Sequence, residues 1–325
     1  MNLRKMTPIA AALALTWGAT NTAQADVLAS AVLQVTNAQL VNVDTGSALT
    51  NGIEILIAGG GNSANVSADL GSVPGSDEYS QPASSPAPID LPQAQQGGAP
   101  VGPNDFSPFT NPDDPSAGDL VVGGNFAMAD QLLTGAIVNL PDFGIIAGAD
   151  AKIRADSFLS SNDTGDSIAN VGTDTSIEIL ATSDLTIRLD ATYEGDGEAW
   201  ASAGTAPVSS ALFQYTFTFD IVDQDTGNSM LGGVWSPFSA QTGSRNDGAT
   251  GKTDRNIAPT FFSSPTATLL AGQLYTVTLS NSVLADTTNT VAVPAPGVLA
   301  LLSAGLFGIG TMSSRKRRGK LSTRG

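Results

Sequence analysis

Past residue 119 the chain repeats with a period of two. Ser176-Ile-Glu-Ile-Leu180, Leu185-Thr-Ile-Arg-Leu-Asp-Ala-Thr192, Ala211-Leu-Phe-Gln-Tyr-Thr-Phe-Thr-Phe-Asp-Ile-Val222 and Leu274-Tyr-Thr-Val-Thr-Leu279 all alternate apolar with polar residues. Side chains of a strand point to opposite faces in turn, so these segments read as half-buried antiparallel strands separated by Gly, Asp, Asn and Ser turns. Ile177, Ile179, Leu185, Ile187, Leu189, Phe213, Tyr215, Phe217, Phe219 and Ile221 fall on the core side. The expected fold is all-β, an antiparallel β-sandwich of jelly-roll-like type over residues 26–290, with an Ig-like topology as the alternative that the pattern leaves open. One short helix is expected, at Ala127 to Leu133.

Before this region come strands expected at Val27 to Val43 and Ile53 to Ala58. Forty-five residues from Asp26 to Leu70 are too few to bury a core alone, so they should pair with the later strands. Between them lies a segment in which ten of the protein's 18 prolines fall within Gly71 to Gly118. So few apolar groups cannot offset the chain entropy of folding, and the segment reads as an extended or disordered insertion within one domain.

The 325-residue chain has 14 Lys and Arg against 30 Asp and Glu, and no Cys or His. Eight of the basic residues lie at the two ends, whereas every acidic residue lies between Asp26 and Asp286. The body therefore carries 6 basic and 30 acidic residues, a net charge of −24. Like charge repels phosphate, which excludes nucleic acid and anionic lipid as partners. Without cysteine there is no disulfide framework, and stability must come from an ordinary core.

Both termini read as targeting segments. Arg4 and Lys5 precede the apolar run Ile9 to Trp17, and Ala23-Gln24-Ala25 is an A-x-A cleavage site before Asp26, the pattern of a secretory signal peptide over residues 1–25. At the other end, Pro294-Ala295-Pro296 precedes an uncharged stretch from Gly297 to Met312, and Arg315-Lys316-Arg317-Arg318 follows. As a helix those 16 residues span roughly 24 Å, a short membrane span, with the basic cluster on the cytoplasmic side.

The three-part tail, residues 291–325, resembles the PEP-CTERM sorting signal of Gram-negative bacteria. In that family a Pro-Glu-Pro motif precedes one transmembrane segment and a terminal Arg cluster, and an exosortase in the inner membrane processes the tail. Ala295 stands where the family's commonest form has Glu, while both prolines are kept. The resemblance covers about a tenth of the chain. It implies an exosortase-type membrane protease as partner, transient anchoring in the inner membrane, and final residence at the cell surface or in the extracellular matrix.

Little catalytic chemistry is open to the body. Without His or Cys, neither Ser-His-Asp nor Cys-His nucleophiles nor the usual zinc sites can be built. A carboxylate pair for glycan hydrolysis remains possible, with Glu194, Asp196 and Glu198 in Tyr193-Glu-Gly-Asp-Gly-Glu-Ala-Trp200 as the candidates. The Glu-Gly-Asp-Gly core reads better as a hairpin turn. Gly59-Gly-Gly61-Asn-Ser-Ala64 after a strand matches a dinucleotide fingerprint, but too few residues follow for a crossover helix, so it reads as a glycine-rich hairpin or loop.

Calcium is the most reasonable metal ligand, through Asp220, Asp223 and Asp225, although a turn held by Asp and Asn side chains accounts for the same residues. The sequence points first to a non-enzymatic exported protein of the cell surface or exopolysaccharide matrix. A carbohydrate-binding or adhesive module comes second, hinted at by Tyr193, Trp200 and Trp235, and a glycan-active enzyme third.

Overall fold

A computed structural model describes residues 26–71, 76–82, 89–98, 101–107, 124–139, 146–160, 165–201, 209–246 and 251–289, with backbone alone at 57–61, 76–82 and 246. Residues 1–25, read above as a signal peptide, the Pro294-Ala295-Pro296 motif, residues 297–312, expected as a membrane helix, and the Arg315 to Arg318 cluster lie outside the described residues.

The strands are β1 (Val27–Asn42), β2 (Ser47–Ala48), β3 (Ile53–Leu70), β4 (Ser76–Pro82), β5 (Ala94–Gly97), β6 (Phe126–Thr134), β7 (Ala149–Leu159), β8 (Gly165–Ala181), β9 (Leu185–Ala201), β10 (Ser209–Asp223), β11 (Gln241–Asn246), β12 (Gly251–Asp254), β13 (Ile257–Ser263), β14 (Ala267–Leu269) and β15 (Leu274–Asn289). Among the described residues there is no helix, and so none long and apolar enough to cross a membrane.

Two antiparallel sheets result. Sheet A runs β12-β9-β1-β7-β6-β5, with β13 and β14 continuing along the same edge of β9 and β2 beside β1, while sheet B runs β11-β10-β15-β8-β3-β4. β1 pairs with β7 and β9, and β3 with β8, so the strands before the Pro-rich segment complete sheets built after it. Successive long strands alternate between sheets along β7, β8, β9 and β10.

The inner faces share one core. Leu33, Leu40 and Ile153 of sheet A belong to the same buried cluster as Val66, Val171, Phe217 and Tyr275 of sheet B. Each such side chain contributes roughly 1.5–3 kcal/mol by leaving water. Trp235 and Phe238, from the loop after β10, pack against this core and close the side between the sheets, Phe238 at 4.9 Å from Tyr193 and Trp235 at 5.6 Å from Phe262, ring centre to ring centre. Paired backbone hydrogen bonds between Phe219 and Trp235 seal the edge of β10.

Four expectations change. Ala127 to Leu133 is strand β6 and not a helix. Its residues are good helix formers, but β6 is covered on both faces, which removes the alternation that marks a strand. The glycine run does not turn, because β3 continues through it with a register shift between Leu56 and Gly61. Within 71–118, expected to be extended or disordered, lie β4, β5 and the buried Ile89, Leu91, Ala94 and Phe106.

The fourth concerns Tyr193 to Trp200, which is not a hairpin turn but the second half of β9, paired with β1 throughout. Gly195 and Gly197 face inward, where rings of β10 occupy the space a side chain would need. A Cβ on Gly195 would lie 2.9 Å from Tyr215, and one on Gly197 would lie 2.2 Å from Phe213. The glycines serve packing across the sandwich, not chain reversal.

Candidate functional site

Because Gly195 and Gly197 point inward, Glu194, Asp196 and Glu198 point together to the outer face of sheet A. Register places them in rows. Trp200, Leu28, Phe158 and Phe126 stand side by side across β9, β1, β7 and β6; the next row is Glu198, Ser30, Asp156 and Met128, and the one after is Asp196, Val32, Arg154 and Asp130. The first row is apolar and buried, with Phe126 and Phe158 stacked at 5.7 Å, and Val101 packs against it.

A strap, residues 101–107, lies over this face. Arg154, fully buried, donates through Nη1 to the carbonyls of Asp105 at 3.0 Å and Ser107 at 2.7 Å, and through Nε to Asp156 at 2.5 Å. Ser30 donates to the other oxygen of Asp156 at 2.6 Å. The backbone N–H of Asn104 donates to Asp130 at 2.6 Å, Gln34 donates to the Phe106 carbonyl at 3.3 Å, and the Phe106 ring is buried beneath the strap.

Burial pushes the carboxyl groups of Asp130, Asp156 and Asp196 upward. The Arg154 guanidinium opposes this at Asp156, and the Lys252 ammonium opposes it at Asp196. Asp105 is shifted the other way, lowered by hydrogen bonds from Ser107. Both oxygens of Asp156 are engaged and the group is sealed from solvent, so the arrangement fastens a segment of chain rather than presenting an acid to substrate.

The aromatic residues singled out for sugar contact are occupied elsewhere. Tyr193 is in the main core, Trp200 is in the apolar row, and Trp235 packs on Phe262. Asp223 holds its own turn, its Oδ1 accepting from the backbone N–H groups of Asp225 at 2.8 Å and Thr226 at 3.1 Å, while Asp220 accepts from Ser229 at 2.6 Å. Among the described residues no group of three or more Asp and Glu is gathered to hold a metal ion, Asp220, Asp223 and Asp225 included.

Sheet B presents a different outer face. A shallow depression of about 400 Å³ lies over Gly172, lined by Asn65, Asp174, Thr216, Ser280 and Ser282 among others. A Cβ on Gly172 would lie 2.5 Å from Asn65 Oδ1, so the missing side chain leaves room for the Asn65 amide. Thr216 and Ser282 hydroxyls hydrogen-bond at 2.6 Å across β10 and β15. The alternation of β10 and β15 revealed these strands, but nothing in the sequence alone placed Asn65 and Thr216 around one hollow. Compared with protein-family models, curated proteins and solved structures, the chain matches none.

Proposed function

We propose that the protein is a non-enzymatic component of the cell surface or exopolysaccharide matrix of a Gram-negative bacterium, exported by its signal peptide and released from a transient inner-membrane anchor by an exosortase-type protease. The observation that carries this is the joint order Pro294-Ala295-Pro296, apolar run, Arg315-Lys316-Arg317-Arg318. The absence of His and Cys, and the use of the buried carboxylates to hold the strap, support a structural role for the body. We read that body as jelly-roll-like, a reading supported by the alternation of β7, β8, β9 and β10 between the two sheets. A second reading, a carbohydrate-binding or adhesive module, draws support from the open polar face of sheet B and none from an aromatic platform.

Intact mass of the protein recovered from the cell surface or medium tests the proposal. A C-terminus between Val291 and Met312 is the expected result, and replacement of both Pro294 and Pro296 by Ala should leave unprocessed protein in the inner membrane. Release of the double variant at the wild-type level overturns the sorting role.

A further inference from the structure

The outer face of sheet B differs from an ordinary solvated face in what it lacks. Around the depression the outward positions are held by short hydroxyl and amide side chains: Thr216 and Thr218 on β10, Ser280 and Ser282 on β15, Asn170 on β8 and Asn65 on β3. Ordering these for a ligand costs much less rotamer entropy than ordering Lys, Arg or Glu. Arg245 is the only basic residue in the six strands, and it pairs opposite the inward-facing Ala211, so no cation stands on the outward rows.

This chemistry sorts ligands. With Asp174 at the rim and no Lys or Arg, an anionic chain would be repelled; the one apolar residue in the lining, Val171, has its side chain buried in the core, so an apolar or aromatic partner would gain little from the hollow. Donors and acceptors spaced about 4.8 Å across the strands and about 7 Å along them suit a neutral ligand dense in hydroxyls. Gly172, with no side chain of its own, keeps the floor low enough for the Asn65 amide to lie over it, and the depression reaches from β3 across β8 and β15 to β10.

We propose that the hollow over Gly172 is a binding site for a neutral polysaccharide chain laid across β3, β8, β15 and β10. The proposal rests on the matrix role above and names the matrix partner. Recognition is by hydrogen bonds without aromatic stacking, so a single site binds weakly and retention on a long polymer comes from repeated contact.

Native affinity electrophoresis of the full chain through gels containing dextran, a mixed-linkage β-glucan, galactomannan or alginate tests this. At least one neutral polymer should retard the protein while alginate does not. The Thr218→Lys, Ser280→Lys double variant, which places two long side chains over the hollow without touching the core, should weaken that retardation at least tenfold at an unchanged melting temperature, and Gly172→Val should do the same by filling the floor. If no neutral polymer retards the wild type, if alginate does so equally, or if both variants migrate as wild type does, the site is overturned. Processing of the tail is read separately by mass, so a processed protein without glycan binding refutes this site alone, and glycan binding by an unprocessed protein refutes the sorting role alone.

Discussion

The two outer faces of the sandwich are made from the same pleated backbone and end differently. Sheet A is finished within the chain: an apolar row is packed against Val101, Phe106 lies buried beneath the strap, and a buried Arg154–Asp156 pair ties the strap down. Sheet B ends in short polar side chains around an open hollow. The lesson is that a strand's sequence pattern reports what covers it. β10 and β15 alternate strictly because only one face is buried, whereas the first residues of β1 and most of β6 are buried on both.

The largest expected effect breaks the finished face. Arg154→Met leaves Asp156 buried without its guanidinium and should cost about 3–5 kcal/mol in chemical denaturation. Adding Asp156→Leu removes the stranded charge and should recover most of that stability. The strap should stay loosened even so, because the carbonyls of Asp105 and Ser107 have lost their donor; faster proteolysis between 101 and 107 in the double variant would register this.

Next comes a contrast between two glycines. Gly197→Ala pushes a methyl group into the Phe213 ring and should destabilise by about 1–3 kcal/mol, while Gly172→Ala meets only the movable Asn65 amide and should change stability by less than about 0.5 kcal/mol. Equal effects at the two positions would erase the distinction between a packed inner face and an open outer one.

A smaller effect concerns pH. Asp130, Asp156 and Asp196 are raised in the folded protein, so the folded state holds their protons more tightly than the unfolded chain does. Stability from these groups is full below the ordinary carboxylate range and is lost as pH rises through the raised values. Relief of self-repulsion acts in the same direction, and the lowered Asp105 acts against it. The melting temperature should rise by a few degrees between pH 7 and pH 5, at about 2–4 °C per kcal/mol for a domain of this size.

How much the sequence revealed follows the same division. Most of β10, the first half of β9, the Ser176 to Leu180 end of β8 and the Leu274 to Leu279 start of β15 are legible because one side of each meets water, while the Ser, Thr and Asn of the remaining stretches blur the contrast between their faces. β6 is not, since Ala127, Met128, Ala129 and Leu133 are helix formers buried from both sides. The second half of β9 is masked by Gly195 and Gly197, whose reason lies in Phe213 and Tyr215, distant in sequence and adjacent only across the core. β5 and the strap hide in a Pro-rich stretch whose composition speaks for an open chain, yet Ile89, Leu91 and Phe106 give it enough apolar surface to dock. Of the candidate positions, Glu194, Asp196 and Glu198 are visible as a cluster in the sequence; that they share a sheet face is not.

Hydroxyl-radical footprinting of the native protein tests the contrast between the faces most directly. Trp200, Met128, Phe126 and Phe158 are among the chain's most reactive side chains and all stand in the covered rows, so in the folded wild type they should be oxidised far more slowly than in urea-unfolded protein and should gain reactivity in the Arg154→Met, Asp156→Leu variant. Oxidation of Trp200 and Met128 in the folded wild type at the unfolded rate would show that the strap does not close sheet A and would contradict the account.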